Sequence, residues 1–181
     1  PSASDSKLIL DLNRVSSAAT TVQSINERIL QNPQNVNLTP ELISRKQLLL
    51  RVLQENPAQA VNLVLSPEER RRLPDMSQKD IEAPVQLGGT VEYVISDDFV
   101  NQKSWNEYYL DPGGGKKVQL HFTVPPSPEI AGNSITINGL QLDNHVLVQN
   151  TDQRNFQIQK VPDVLGAVTN KKVAVILINF Q

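Results

Sequence analysis

Ile81-Glu82-Ala83-Pro84-Val85-Gln86-Leu87-Gly88-Gly89-Thr90-Val91-Glu92-Tyr93-Val94-Ile95 is where this chain changes character. Upstream of it there is no glycine. All eight glycines lie from Gly88 onward, with β-branched runs between them. Upstream, apolar residues recur at spacings of three and four, the period of a helix. From Pro84 the spacing becomes two, the period of a strand. The chain therefore reads as α+β: an N-terminal unit of short helices over 1–80, then a small antiparallel β-barrel of OB-like type, or a β-sandwich, over 84–150.

Working back from that boundary, the helical side is well punctuated. Leu8, Leu12, Val15, Ala19, Val22, Ile25 and Ile29 form one stripe of a long amphipathic helix. Gln31-Asn32-Pro33 ends it, because proline disfavours helix in the residue before it. The pairs Thr39-Pro40, Asn56-Pro57 and Ser66-Pro67 each put a capping side chain before a proline suited to the first helical turn. Ser66-Pro67-Glu68-Glu69 is also a capping-box sequence. These signals predict helices over 40–54, 57–65 and 67–72, with Leu42, Leu49, Leu50, Leu53, Val61, Val64 and Leu65 facing inward.

On the strand side, Thr90 to Ile95 reads as a strand broken by Asp97-Asp98-Phe99. Trp105 to Leu110 and Lys117 to Phe122 flank Asp111-Pro112-Gly113-Gly114-Gly115 and read as a hairpin. Ser134–Asn138, Gln141-Leu142 and His145–Val148 read as three short strands. Residues 151–170 carry little pattern beyond Phe156 and Ile158 and are expected to be a linker.

Composition narrows the function classes. Of 181 residues, 39% are hydrophobic and only 4% aromatic, so the core must be mainly Leu, Ile and Val. A net charge of −2 gives no general attraction to nucleic acid or anionic lipid. No apolar run reaches the ~18 residues of a membrane helix. With no cysteine, disulfides, thiolate zinc sites and cysteine catalysis are all excluded.

No catalytic constellation or cofactor motif stands out. Asp97 and Asp98, with Asp111 across the hairpin, are carboxylates of the kind that bind calcium, but they read first as a charged turn with Asx hydrogen bonds. His121 and His145 are the two histidines. Each stands alone in a strand-like segment, His121 on the wetter face, and together they would make at most half a metal site. Asp111-Pro112-Gly113-Gly114-Gly115 followed by lysine lacks the spacing of a phosphate loop and reads as a hairpin tip. Arg70-Arg71-Arg72 reads as a solvated helix face, and Asn37-Leu38-Thr39 fits a glycosylation sequon. Trp105 reads as a core or rim packing residue. The strand region has no clustered Lys/Arg or stacked aromatics, which argues against nucleic-acid binding.

Lys171-Lys172 precedes six consecutive apolar residues, Val173 to Ile178. That run reads as a strand buried on both faces and is expected to open a further domain. Left alone it is an association hazard, so it is expected to dock on an edge of its own barrel or on the same segment of a second molecule, giving a dimer through Val173–Ile178.

Four stretches carry a family resemblance. They are Arg45-Lys46-Gln47-Leu48-Leu49 through Asn56-Pro57-Ala58-Gln59-Ala60-Val61 and Leu65-Ser66-Pro67-Glu68-Glu69-Arg70 to Leu73-Pro74; Glu82-Ala83-Pro84-Val85 and Gly89-Thr90-Val91-Glu92 into Asp97-Asp98-Phe99; Ser104 and Tyr108-Tyr109-Leu110 before Lys117–Phe122; and Gly132 to Leu142. Their order resembles the N-terminal region of secreted bacterial zinc metallopeptidases of the gametolysin and immune-inhibitor-A type, over 45–149 and again over 171–180. The family's His-Glu-x-x-His signature is missing from this sequence. The resemblance thus implies a non-catalytic propeptide or accessory domain of an exported metallopeptidase, its leader removed before Pro1. Such a module would assist folding or cover the active-site cleft of the parent's own catalytic domain, and Val173–Ile178 would open that domain. Without cysteine it would cover zinc by other means than a thiolate. The alternative is a stand-alone extracellular module recognising a glycan or protein through its barrel face.

Overall fold

The computed structural model describes residues 3–35, 38–100, 103–127, 130–150 and 155–159, with side chains from Arg14 onward except those of Lys103 and Gln159. The Val173–Ile178 run, most of the expected linker and Asn37 of the sequon lie outside the described residues.

The α+β class holds. Helices α1 (Ala3–Gln31), α2 (Thr39–Glu55), α3 (Pro57–Ala60) and α4 (Pro67–Arg72) lead through a short 3-10 helix (Asp75–Asp80) into the strands. These are β1 (Ala83–Asp98), β2 (Lys103–Asp111), β3 (Val118–Phe122), β4 (Ser134–Leu142), β5 (His145–Val148) and β6 (Phe156–Gln159). The stripe of α1 is buried from Val15 through Ala19, Val22, Ile25 and Ile29, as its spacing requires. Asn56 caps α3 by accepting from Gln59 N at 3.1 Å. Ser66 and Glu69 close the capping box at α4 with bonds of 3.2 and 2.7 Å.

Several boundaries differ from the sequence reading. Thr39 does not cap α2: the preceding Leu38 takes that place in helical geometry, because its side chain is drawn into the core. α3 stops at Ala60 rather than 65, and Leu63 and Leu65 turn inward from the loop that follows. Asp97 and Asp98 do not break a strand, since β1 runs through both. The expected pair Ser134–Asn138 and Gln141-Leu142 is one strand, β4, because Gly139 continues it. Phe156 and Ile158 lie in β6.

The strands form one six-stranded sheet of order β1-β2-β3-β5-β4-β6, so the β-sandwich alternative does not apply. Its pairings are antiparallel except for β3 with β5. β1 serves twice: Ala83–Thr90 pairs with β4, and Thr90–Asp98 pairs with β2. The shared strand closes β1, β2, β3, β5 and β4 into a ring. Closure brings backbones close together. A side chain at Gly89 would strike the Asp111 carbonyl, and one at Gly139 would lie 2.6 Å from the Leu147 carbonyl oxygen. Only glycine fits either position.

Inside the ring sit Val91, Leu110, Val118, Leu120, Ile135, Ile137, Val146 and Val148, with Ile130 plugging in from the β3–β4 loop. Four of the eight aromatics are here. Tyr93, Tyr108, Phe122 and Phe156 form a ladder with ring centroids 4.9, 5.5 and 5.6 Å apart. Outside the ring, Leu142 and Leu147 pack into the helical layer against Val15, Val22, Leu49, Val52 and Leu53.

Candidate functional site

Three places collect the polar or exposed chemistry of the molecule: a buried ion pair where helices meet sheet, a histidine pair on the ring's outer wall, and the arm formed by β1 and β2.

The ion pair is Arg45 with Glu82. In α2, Arg45 shares a face with Leu42, Leu49 and Val52, so the helix carries it inward to zero exposure. Its guanidinium donates to both carboxylate oxygens of Glu82, at 2.7 and 3.0 Å, and to Asn26 Oδ1 at 2.5 Å. A further bond reaches the Leu63 carbonyl at 3.3 Å, and Glu82 also accepts from Leu65 N. The cluster ties α1, α2, the loop after α3 and the residue before β1 to one another. Every polar atom there is engaged in structure, and none of the described buried side-chain polar atoms lacks a partner. The adjoining cavity is about 10 Å³, lined by Leu49, Leu53, Leu140 and Leu147 among others, which is barely the space of one water. Sequence reasoning passed over this pair. The available signal was a charged residue on the apolar stripe of α2.

The histidines are neither solitary nor wet. β3 and β5 lie side by side in parallel, pairing His121 with Leu147 and Gln119 with His145. That register brings His121 Nε2 within 2.9 Å of His145 Nδ1, one ring nitrogen donating and the other accepting. His121 is only 7% exposed, because the outer face of β3 is covered as well as its inner one. Burial, with the neighbouring His145 adding to it, lowers the His121 pKa from 6.5 to about 4. His145 is half-buried; burial lowers its pKa, opposed by the charge of Asp143. Asp143 in turn pairs with Lys46 of α2 at 2.5 Å. Among the described residues no group of three or more His, Asp or Glu is placed to hold a metal ion. Two hydrogen-bonded imidazoles form a neutral clamp between β3 and β5.

The carboxylates do not converge. β1 and β2 pair Thr90 with Asp111 and Asp97 with Ser104. Asp111 is thus seven residues of strand away from Asp97, roughly 23 Å, at the opposite end of the hairpin. The expected neighbourhood of Asp97, Asp98 and Asp111 is therefore corrected. Asp98 accepts from Val100 N at 3.1 Å, and Asp111 from Gly113 N at 2.8 Å, both Asx turns. Gly113, Gly114 and Gly115 all have positive φ, as a hairpin tip of this form demands. Lys117 pairs with Glu92 at 2.7 Å, and that bond raises its pKa. Arg70 and Arg72 donate to the carbonyls of Leu65 and Leu30, so the arginine run stitches helices together as well as facing solvent.

What remains is the arm. β3 flanks β2 only from Tyr108 to Leu110, whereas β1 and β2 stay paired out to Asp98 and Lys103. The hairpin thus outruns the ring. Large apolar side chains lie exposed along it: Ile95 58%, Trp105 47%, and at the tip Phe99 69% and Val100 87%. Of the two readings, core or rim, Trp105 therefore takes the rim. Strand pairing puts Trp105 and Val94 on the ring's outer side and Ile95 on the inner side, past Tyr93 and Tyr108. Among the described residues no helix is long and apolar enough to cross a membrane.

No family model, curated protein or solved structure matches this chain.

Proposed function

We propose that this chain is a non-catalytic propeptide or accessory module of an exported metallopeptidase of the gametolysin and immune-inhibitor-A type, which docks on its parent's peptidase domain through the tip of the β1–β2 arm. The observation that carries this reading is the exposure of Phe99 and Val100 at the end of a hairpin that projects beyond the packed ring. Each large apolar side chain left in water forgoes roughly 1.5–3 kcal/mol of burial. Phe99 and Val100, adjacent at the tip, make a contact surface. The order of motifs from Arg45 to Leu142 supplies the kind of partner. Tethering places such a module at an effective concentration of about millimolar, so modest intrinsic affinity is enough to fill a cleft.

The test is to titrate the chain into a purified peptidase domain of that type and follow hydrolysis of a fluorogenic peptide. Saturable inhibition is expected, weakened about tenfold or more by Phe99→Ser or Val100→Ser. Unchanged rates, with no heat of binding up to about 1 mM chain, would contradict the reading. A second reading, a module recognising a glycan or protein, draws on the exposed indole of Trp105. Glycan-array binding lost in Trp105→Ser but kept in Phe99→Ser would favour it.

A further inference from the structure

The arginine run of α4 differs from the arginines of the longer helices. Arg28 and Arg51 lie within α1 and α2, next to the buried Ile29 and Val52, and Arg45 is itself buried. Exposing their peptide bonds means unwinding a helix that carries core. α4 buries none of its six residues. It is held at its ends, by the Ser66–Glu69 capping box and by the buried Leu65 and Leu73 on either side. Its other links are hydrogen bonds at or near the surface. Arg70 donates to the Leu65 carbonyl and Arg72 to the Leu30 carbonyl, while Gln34 and Gln78 donate to the carbonyls of Arg72 and Arg70. Between the two engaged arginines, Arg71 stands in solvent with 78% of its side chain exposed, and its contact with Glu68 is a loose 3.9 Å.

A peptide bond must be extended to enter a protease cleft, so a helix is cut only where it opens locally. Segments with few buried apolar contacts open most readily. Opening also yields reach. The six residues of α4 rise about 9 Å as a helix but extend to about 20 Å. With Leu65 and Leu73 fixed, that slack lifts the arginines off the surface as a loop.

We propose that α4 is a proteolytic processing site for an arginine-directed endopeptidase, with Arg71 filling the specificity pocket. Water adds across the Arg71–Arg72 peptide bond, leaving a carboxylate on Arg71 and an amine on Arg72. The two pieces stay together. Leu73 and Ile81 belong to the same buried cluster as Ile25, Ile29 and Leu65, and Glu82 keeps its bonds to Arg45. Processing thus turns the helical unit from a covalent part of the chain into a separable cover on the ring. This goes beyond the proposed function and does not depend on it.

The test is native digestion of the full chain with a trace of an arginine-specific endopeptidase, read by intact-mass spectrometry. Of Arg28, Arg45, Arg51 and the run Arg70-Arg71-Arg72, the run should be cut first. The two fragments should co-elute in gel filtration until denaturant is added. The cutting rate should stay nearly constant in urea well below the unfolding transition, because opening α4 exposes little surface. Ser66→Ala should raise it about fivefold by loosening one cap. Arg70→Lys/Arg71→Lys/Arg72→Lys, which keeps the charge, should abolish the cut at α4. If that variant fails to fold, as judged by circular dichroism, the Ser66→Ala rate and the urea dependence decide. A first cut at Arg28, Arg45 or Arg51, a run cut only in urea that unfolds the chain, or fragments that part without denaturant would each overturn the proposal.

Discussion

The junction around Arg45 and Glu82 and the arm around Trp105 are opposites. At the junction, charged groups are buried and every polar atom is matched. On the arm, large apolar groups are exposed. A charged residue in a core and an indole in water each cost free energy, but they differ in what returns it. Arg45 finds its compensation within the chain, so its role is to join helices to sheet. Trp105 and Phe99 find none within the described residues, and the proposed contact is placed there for that reason. Function is better sought where the fold leaves its surface unmatched than where its charges are most concentrated.

The sharpest way to break this contrast is at the junction. Glu82→Ala should destabilise the chain by about 3–5 kcal/mol, because it strands a buried guanidinium. Urea denaturation would show this as a large drop in midpoint. Arg45→Met/Glu82→Leu should recover part of the loss by removing the orphaned charge. A small effect of Glu82→Ala would mean that water reaches the pair, and the junction would resemble the arm.

The histidine clamp gives the next effect. In the unfolded chain His121 takes a proton near pH 6.5; in the fold it does so only near 4. Between those values the unfolded state holds more protons, so stability falls as pH falls from about 6.5 and levels off below about 4. The displacement corresponds to roughly 3 kcal/mol. His145, Asp143 and Lys46 are the charged or titratable groups around the clamp. His121→Gln should flatten the slope relative to the parent chain between pH 6.5 and 4.5. An unchanged slope would assign it to other groups.

How much of this was legible in the sequence depends on range. The stripe of α1, the caps at Asn56 and Ser66 and the glycine hairpin after Asp111 were readable, because each is set by residues within a turn or two of one another. The histidine clamp was not. It requires knowing that β3 and β5 lie side by side, and nothing local in Val118–Phe122 or His145–Val148 says so. The alternation of β3 was visible, but it wrongly sent His121 to the wet side because the helical layer covers the outer face there. For Trp105 the sequence left core and rim open. Its strand continues past the last residue that β3 can flank, and strand length beyond the ring leaves no mark in the period. Arg45 was readable in principle, since i+3, i+7 spacing sets it among Leu42, Leu49 and Val52.

Ser66→Ala lies between the extremes. It removes one cap bond at α4 and should cost about 1 kcal/mol, seen as a modest shift in urea midpoint. A loss as large as that of Glu82→Ala would mean that α4 is part of the junction rather than a locally set helix.

The most direct test pits fold against surface in one variant, Phe99→Ser/Trp105→Ser, measured for both stability and association. The arm lies outside the packed core, so the urea midpoint should move by no more than about 0.5 kcal/mol. Titration into the peptidase domain should show loss of inhibition. A variant that unfolds early, or one that still inhibits, would contradict the claim that this molecule works through its arm.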